Sequence, residues 1–210
     1  MTEFKTIIFD LGAVLIDWNP HYLYETIFEQ AAERHQFLQT VCNAEWNEEQ
    51  DGGRSLHEAT ELLIPQFSHY ETAIRAFYGR YPEMMRGPIT GTVDILQALK
   101  ASGNYGLYAL TNWSAETFPV ALEQFDFLSW FDGIVVSGIE KDRKPFATFY
   151  HTLLRRYDLN PAECLFIDDN LRNVNAAEAL GIRSSQFTEP SALRRQLIQH
   201  GILPVQVENG

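Results

Sequence analysis

A chain of 210 residues, 45% of them hydrophobic, carries enough apolar material for one sizeable core. At ~150 residues per domain it accommodates one domain with an insertion, or a large and a small unit, rather than two full domains. Sixteen basic residues against 28 acidic ones give a net charge of -12, which disfavours nucleic-acid backbones and anionic membranes as partners. Cys42 and Cys164 lie outside any C-x-x-C spacing, the opening MTEFKTIIFD lacks a signal-peptide apolar stretch, and no apolar run approaches the ~18 residues of a membrane span. A soluble protein of the reduced cytoplasmic compartment is expected, as monomer or homodimer.

The first element is the short β-branched run Thr6-Ile7-Ile8-Phe9, which ends on Asp10 and has the texture of a strand buried on both faces of a parallel sheet. From about Pro20 to Met85 the spacing turns helical. Asn19-Pro20 opens a helix carrying Tyr22, Leu23, Ile27 and Phe28, Ser55-Leu-His-Glu58 reads as a capping box for a second, and a third runs from Tyr70 to Tyr81. After Gly87-Pro88 the chain alternates: helix over Val93 to Ala101, strand Tyr105 to Leu110, helix 114–125, strand Gly133 to Ser137, helix 146–157, strand Cys164 to Ile167, helix 171–180, strand Arg183 to Phe187. Helices of this length between short apolar runs suit right-handed crossovers in a parallel sheet. The expectation is an α/β, Rossmann-like, doubly wound core of residues 1–16 and 86–210, with a helical cap of residues 17–85 inserted after the first strand. The residues after Pro204 are expected to fray.

Three strand runs end on polar residues: Asp10, Thr111 and the pair Asp168-Asp169. In an open parallel sheet those carboxyl ends share one edge, where ligands bind at the switch in strand order. Lys144, beside Pro145, can reach the same edge. Each of these has a plainer reading: Asp10 as a strand-end turn residue, Asp168 or Asp169 as a helix cap, Lys144 as a solvated charge.

The four segments together, Phe-Asp10-Leu-Gly12-Ala-Val-Leu, Leu-Thr111-Asn112, Lys144-Pro145 and Phe-Ile-Asp168-Asp169-Asn170, resemble in order the motifs of the haloacid dehalogenase-like hydrolase superfamily. The resemblance covers the chain and implies a phosphatase that closes a helical cap over a small phosphomonoester, a sugar phosphate being one candidate. It implies Asp10 as nucleophile, Thr111 as a donor to a phosphoryl oxygen with Asn112 assisting, and Lys144 as the fixed positive charge. It further implies Mg²⁺ held by Asp10, the Gly12 backbone carbonyl and the Asp168-Asp169 pair, Asp169 being favoured. Asn173 stands where many members have another acid; it either holds a metal-bound water or solvates the first helical turn.

One departure matters. Phosphatases of this superfamily usually place a second Asp two residues after the nucleophile, whose side chain protonates the leaving group. Here that residue is Gly12, and Asp17 is the next acid along the chain. A branch resembling α-D-glucose-1-phosphate phosphatase also has Asp-Leu-Gly. A 2-haloacid dehalogenase is the competing reading, disfavoured because two adjacent carboxylates repel a carboxylate substrate; a non-catalytic sensor of a phosphorylated ligand is the third. Within the helical block, Gly52-Gly53-Arg54-Ser55 forms a turn able to present Arg54 to the substrate, against the reading of a surface charge. Trp18 and Trp113 follow motif segments and are pocket candidates, with Trp46 in the same ambiguity; His57 reads as solvated and Ser114 as a helix cap. Phe67, Phe77 and Tyr78 read as the block's own core.

Overall fold

A computed structural model describes residues 3–205, so the C-terminal segment expected to fray lies largely outside the described residues. The seven strands are β1 (Thr6–Phe9), β2 (Ile16–Trp18), β3 (Met85–Pro88), β4 (Gly106–Thr111), β5 (Gly133–Val136), β6 (Cys164–Asp168) and β7 (Arg183–Gln186). Five form a parallel sheet in the order β5-β4-β1-β6-β7. The chain winds outward from β1 through β4 to β5, then returns across β1 to β6 and β7. The strand order therefore switches at β1, and the carboxyl ends of β1, β4 and β6 lie side by side.

Both faces of this sheet are covered, which explains why its strands read as unbroken apolar runs. Ile7 and Phe9 join the core beneath helix Thr90–Ser102 and helix Pro190–Gln199, where Ile95, Leu99, Leu193 and Leu197 are buried. Ile8 points the other way, into a second cluster with Phe149, Tyr150 and Phe166. Gly103 ends the first of these helices in the left-handed region at φ 65°, as its place after the apolar stripe predicts. Full burial of each such side chain stabilises the fold by about 1.5–3 kcal/mol.

Several sequence expectations shift in detail. The helix opened by Asn19-Pro20 is a short one, His21–Tyr24, and helices Ala31–Thr40 and Ala44–Asp51 follow it separately. Asn19 Oδ1 does accept from the His21 N–H, at 2.9 Å. The capping serine is as expected: Ser55 Oγ accepts from the Glu58 N–H at the start of helix Leu56–Leu63. The expected third helix spans Glu71–Gly79. The expected helix 114–125 begins only at Phe118, because residues 114–117 form a turn tied by Ser114. Pro145 precedes the next helix, Ala147–Arg156, rather than opening it. The sequence reading missed helix Pro190–Gln199, signalled only by Pro190 and the four-residue spacing of Leu193 and Leu197.

It also missed the antiparallel ribbon of β2 and β3, where the chain leaves the sheet for the helical block and returns. Between these strands, Tyr24, Phe28, Phe37 and Phe77 pack ring against ring, with Tyr24 to Phe37 centroids 4.9 Å apart. Phe77 is fully enclosed, and Phe67 and Tyr78 flank the same cluster. Among the described residues no helix is long and apolar enough to cross a membrane.

Beyond β5 the short helix Ser137–Glu140 packs against the loop that follows β4. A side chain at Gly138 would run into the backbone there, its Cβ colliding with Ala115 N and standing 2.9 Å from Trp113 O. Gly138→Ala must therefore push back the loop that carries Asn112 and Trp113. A stability loss of about 1–3 kcal/mol is expected, the usual range for overpacking. Urea unfolding of the variant beside wild type reads it.

Candidate active site

The site is built at the switch point. Asp10 follows β1, and its N–H donates to Ile167 O of β6 at 2.8 Å, which fixes the turn away from the sheet. Asp10 Oδ1 accepts from the Leu11 N–H at 2.7 Å. Lys144 is completely buried, its Nζ 2.9 Å from Asp10 Oδ2 and 2.7 Å from Asp168 Oδ2. Asp168, also fully enclosed, accepts in addition from the Asn170 N–H at 2.8 Å and from Asn173 Nδ2 at 3.1 and 3.2 Å. Its oxygens are thus engaged by protein donors. Asp169, next to it, is exposed.

Acidic charge exceeds basic charge here: three carboxylates face one ammonium. Burial alone would lower the Lys144 pKa, but the charges of Asp10 and Asp168 more than offset it and hold the ammonium protonated. Asp10 is pushed above the usual carboxylate range by burial, with Asp168 and Asp169 adding to the rise and Lys144 opposing it. Asp169 is raised by desolvation and then by Asp168. An arrangement that leaves surplus negative charge at a sheet edge calls for a cation.

Thr111, at the end of β4, is fully buried, and its hydroxyl has no hydrogen-bond partner among the described residues. An unpaired buried hydroxyl costs stability unless a ligand satisfies it. Gly12 lies in a tight turn in which the N–H groups of Leu15 and Ile16 both donate to Leu11 O. Gly12, Asn112 and Trp113 line a cavity of about 60 Å³ with Trp18, Asn47, Asp51 and Tyr81, so it sits between the sheet edge and the helical block. Helix Ala44–Asp51 is held over this edge by ion pairs from Glu48 to Arg172 at 2.6 Å and from Glu49 to Arg143 at 2.9 Å. Glu116 Oε1 also accepts from the Leu56 N–H, at 2.8 Å.

A family model for haloacid dehalogenase-like hydrolases matches residues 4–181. The chain belongs to that family. It is 32% identical over 199 residues to the sesquiterpene phosphatase astK of Aspergillus oryzae, covering 94% of this chain and 97% of that protein. It is 30% identical over 195 residues to drimenol cyclase drtB of Aspergillus calidoustus, covering 92% of this chain and 36% of that longer protein. Its fold is similar to that of a HAD family enzyme from Bacteroides thetaiotaomicron solved as a magnesium complex, with a TM-score of 0.70 and 19% identity over 92% of this chain and 100% of that one. This chain is a hydrolase with the family's α/β Rossmann-like fold.

For a haloacid dehalogenase-like hydrolase the donor set suits a hard divalent cation. One oxygen from each of Asp10, Asp168 and Asp169 lies within 4.8 Å of the others. These carboxylates and the Gly12 carbonyl would offer a cation oxygen ligands alone, the donor type a hard divalent ion prefers. All the candidate donors are oxygens, the Gly12 carbonyl included, and among the described residues no thiol or imidazole belongs to the cluster.

Not every sequence-predicted site residue is turned toward this edge. Arg54 stays with the helical block: its Nε donates to Gln50 Oε1 at 2.8 Å and its Nη2 lies 3.4 Å from Trp46 O, because the turn after helix Ala44–Asp51 folds it back onto that helix. These contacts are internal to the helical block. Asn112 lines the cavity, yet its amide is committed to the Lys144 main chain, accepting from Lys144 N at 2.9 Å and donating to Lys144 O at 3.0 Å. It positions the lysine. Trp113 is buried between Tyr81 and Phe118, and its Nε1 has no hydrogen-bond partner among the described residues. Trp18 lines the small cavity and a neighbouring one of about 360 Å³, whose wall includes Pro20, Leu38, Cys42 and Phe77 together with His21, His35 and Glu48. Asn173 is buried on Asp168, away from a solvating role in the first turn. Asp17 is bonded by the Tyr22 hydroxyl at 2.8 Å. Sequence reasoning missed Asp51, which no apolar periodicity marks out.

Proposed function

We propose that this chain is a Mg²⁺-dependent phosphatase that hydrolyses a small phosphomonoester through an aspartyl-phosphate on Asp10. The observation that carries the reading is the charge balance at the switch point: three clustered carboxylates, one fully buried lysine and an unsatisfied threonine hydroxyl. Asp10 Oδ attacks phosphorus, and water then cleaves the acyl phosphate. Lys144 neutralises charge on the nucleophile and the transferring group, and the Thr111 hydroxyl donates to a phosphoryl oxygen. Asp10, Asp169 and the Gly12 carbonyl are the residues that would hold the cation. Asp168, occupied by Lys144, Asn170 and Asn173, orients the lysine. When bound, Mg²⁺ supplies the positive charge that lets a phosphate dianion approach a cluster of acids.

Residues 17–85 act as the cap. The cavity of about 360 Å³ shares Trp18 and Asn47 with the small one above the site and falls within the roughly 300–1,000 Å³ of small-molecule pockets. Its lining surface is mostly apolar, with Trp18, Pro20, Leu38, Cys42 and Phe77 beside the polar His21, His35 and Glu48, which suits the monophosphate of an apolar alcohol better than a sugar phosphate, and the relative astK is by name a sesquiterpene phosphatase. The compartment is a reduced, cytoplasmic one, consistent with Cys42 and Cys164 being free and buried thiols.

Phosphate release from terpenyl, sugar and aryl phosphates, with and without chelator, tests this. Turnover that disappears on chelation and returns with Mg²⁺ is expected, and terpenyl esters should be preferred over sugar phosphates. Asp169→Ala should raise the Mg²⁺ requirement about 10-fold or more, or eliminate activity. Unchanged metal dependence moves the ligand role elsewhere. Chloride release from a 2-chloro acid in chelator makes the chain a dehalogenase instead.

A further inference from the structure

We propose that Asp51, at the end of helix Ala44–Asp51, protonates the leaving alcohol in place of the acid that Gly12 lacks. The inference rests on the phosphatase reading and assigns its missing proton donor. Gly12 and Asp51 are walls of the same cavity of about 60 Å³, together with Asn112 and Trp113 from the loop beyond Thr111. Apart from its own chain neighbours, no described residue comes within 4 Å of where a Gly12 Cβ would stand, so the space beside Gly12 is open toward this cavity.

The carboxyl is oriented rather than neutralised. Asp51 Oδ2 accepts from Asn47 Nδ2 at 3.0 Å, one turn back on its own helix, and the carboxyl bonds the Ser114 backbone, three residues past Thr111. No ion pair involves Asp51 among the described residues; the nearby acids Glu48 and Glu49 are paired with Arg172 and Arg143 instead. The titratable and charged groups around it are Glu48 on its own helix, Arg143 and Lys144 from the segment before Pro145, and Tyr78 and Tyr81 from helix Glu71–Gly79 and the turn after it. Burial, then the Glu48 charge, push the Asp51 carboxyl up to about 7, against the Ser114 bond and the Arg143 and Lys144 charges. A carboxylic acid near 7 is placed to give and retake a proton at neutral pH.

The step balances. As the Asp10 Oδ–P bond forms and the ester P–O bond breaks, the Asp51 proton passes to the leaving oxygen, releasing a neutral alcohol. Asp51 carboxylate then takes a proton from the water that attacks the acyl phosphate, the Asp10 Oδ–P bond breaks, and phosphate leaves with both residues restored.

Leaving-group dependence tests the assignment. Hydrolysis of alkyl phosphates and of p-nitrophenyl phosphate would be measured in Mg²⁺ across pH for wild type, Asp51→Asn, and Asp51→Asn combined with Gly12→Asp. For wild type, the alkyl rate should fall as pH rises through about 7, since the acid must be protonated. Asp51→Asn should lose roughly 10² to 10⁴-fold on alkyl esters, a loss at least ten times smaller on the aryl ester, and that limb of the pH profile. Adding Gly12→Asp should recover part of the alkyl rate. An equal fall on both esters with an unchanged pH profile would make Asp51 a structural tie to Ser114 and overturn the proposal, as would no fall on either. If the wild type releases phosphate from no ester, the phosphatase reading itself fails, and the assignment with it.

Discussion

Asp10→Asn is expected to lower phosphate release by a factor on the order of 10⁴ to 10⁶, the scale on which removing a nucleophile acts. The amide keeps the shape of the carboxylate but cannot form the phospho-intermediate. It should not unfold the protein. Asp10 is raised above the ordinary carboxylate range, so the folded chain binds its proton more tightly than the unfolded chain does. The stability this group contributes is present below the ordinary carboxylate range and is lost as pH rises through its folded value. At pH 8 a neutral amide removes a buried charge, and Lys144 keeps its second partner, Asp168, at 2.7 Å. Thermal unfolding of Asp10→Asn at pH 8 should therefore match or exceed wild type. Residual turnover above about one-hundredth of wild type would remove the nucleophile assignment.

Lys144→Met is expected to act on both stability and turnover. Lys144 is the ammonium that both Asp10 and Asp168 contact, and it is wholly enclosed. Deleting one partner of a buried ion pair leaves uncompensated charge and costs about 3–5 kcal/mol. Here two carboxylates lose their counter-charge at once, with Asp169 close by. The loss should be large at pH 8 and smaller at pH 5, where Asp10, whose pKa is already raised by burial, takes up a proton. Mg²⁺ should recover part of it by supplying positive charge in the same cluster. Urea unfolding of wild type and Lys144→Met, at both pH values with and without Mg²⁺, measures this. A loss that is the same at both pH values and indifferent to Mg²⁺ would mean that packing of the lysine stem, not its charge, holds the site.

The parallel sheet was legible in the sequence because strands covered on both faces need unbroken apolar runs, and Ile7-Ile8-Phe9 and Leu165-Phe166-Ile167 are such runs. The polar residue at the end of each then falls on one edge by topology alone. The β2–β3 ribbon was not legible, since Gly87 and Pro88 argue against a strand and only pairing with Ile16 and Asp17 makes one. Single-residue roles set by tertiary contacts escaped in the same way. Asn112 stands next to Thr111 in a motif that suggests substrate contact, yet the approach of the Lys144 backbone from 32 positions away claims its amide. Arg54 follows two glycines that free the chain, and the side chain returns to Gln50 of the preceding helix. Asp51 sits in a run of acids, Glu45 to Asp51, with nothing local to separate it from a solvated face. Its place at the cavity depends on helix Ala44–Asp51 being drawn onto the sheet edge by Arg143 and Arg172.

The most direct test of the nucleophile is to trap it. Wild-type protein mixed with excess phosphomonoester and Mg²⁺ would be quenched in acid within one turnover, digested, and its peptides read by mass spectrometry. Expected is one added phosphoryl group on Asp10, absent when chelator replaces Mg²⁺ and absent in Asp10→Asn. Turnover with no phosphorylated peptide, or with the group on another residue, would contradict the assignment.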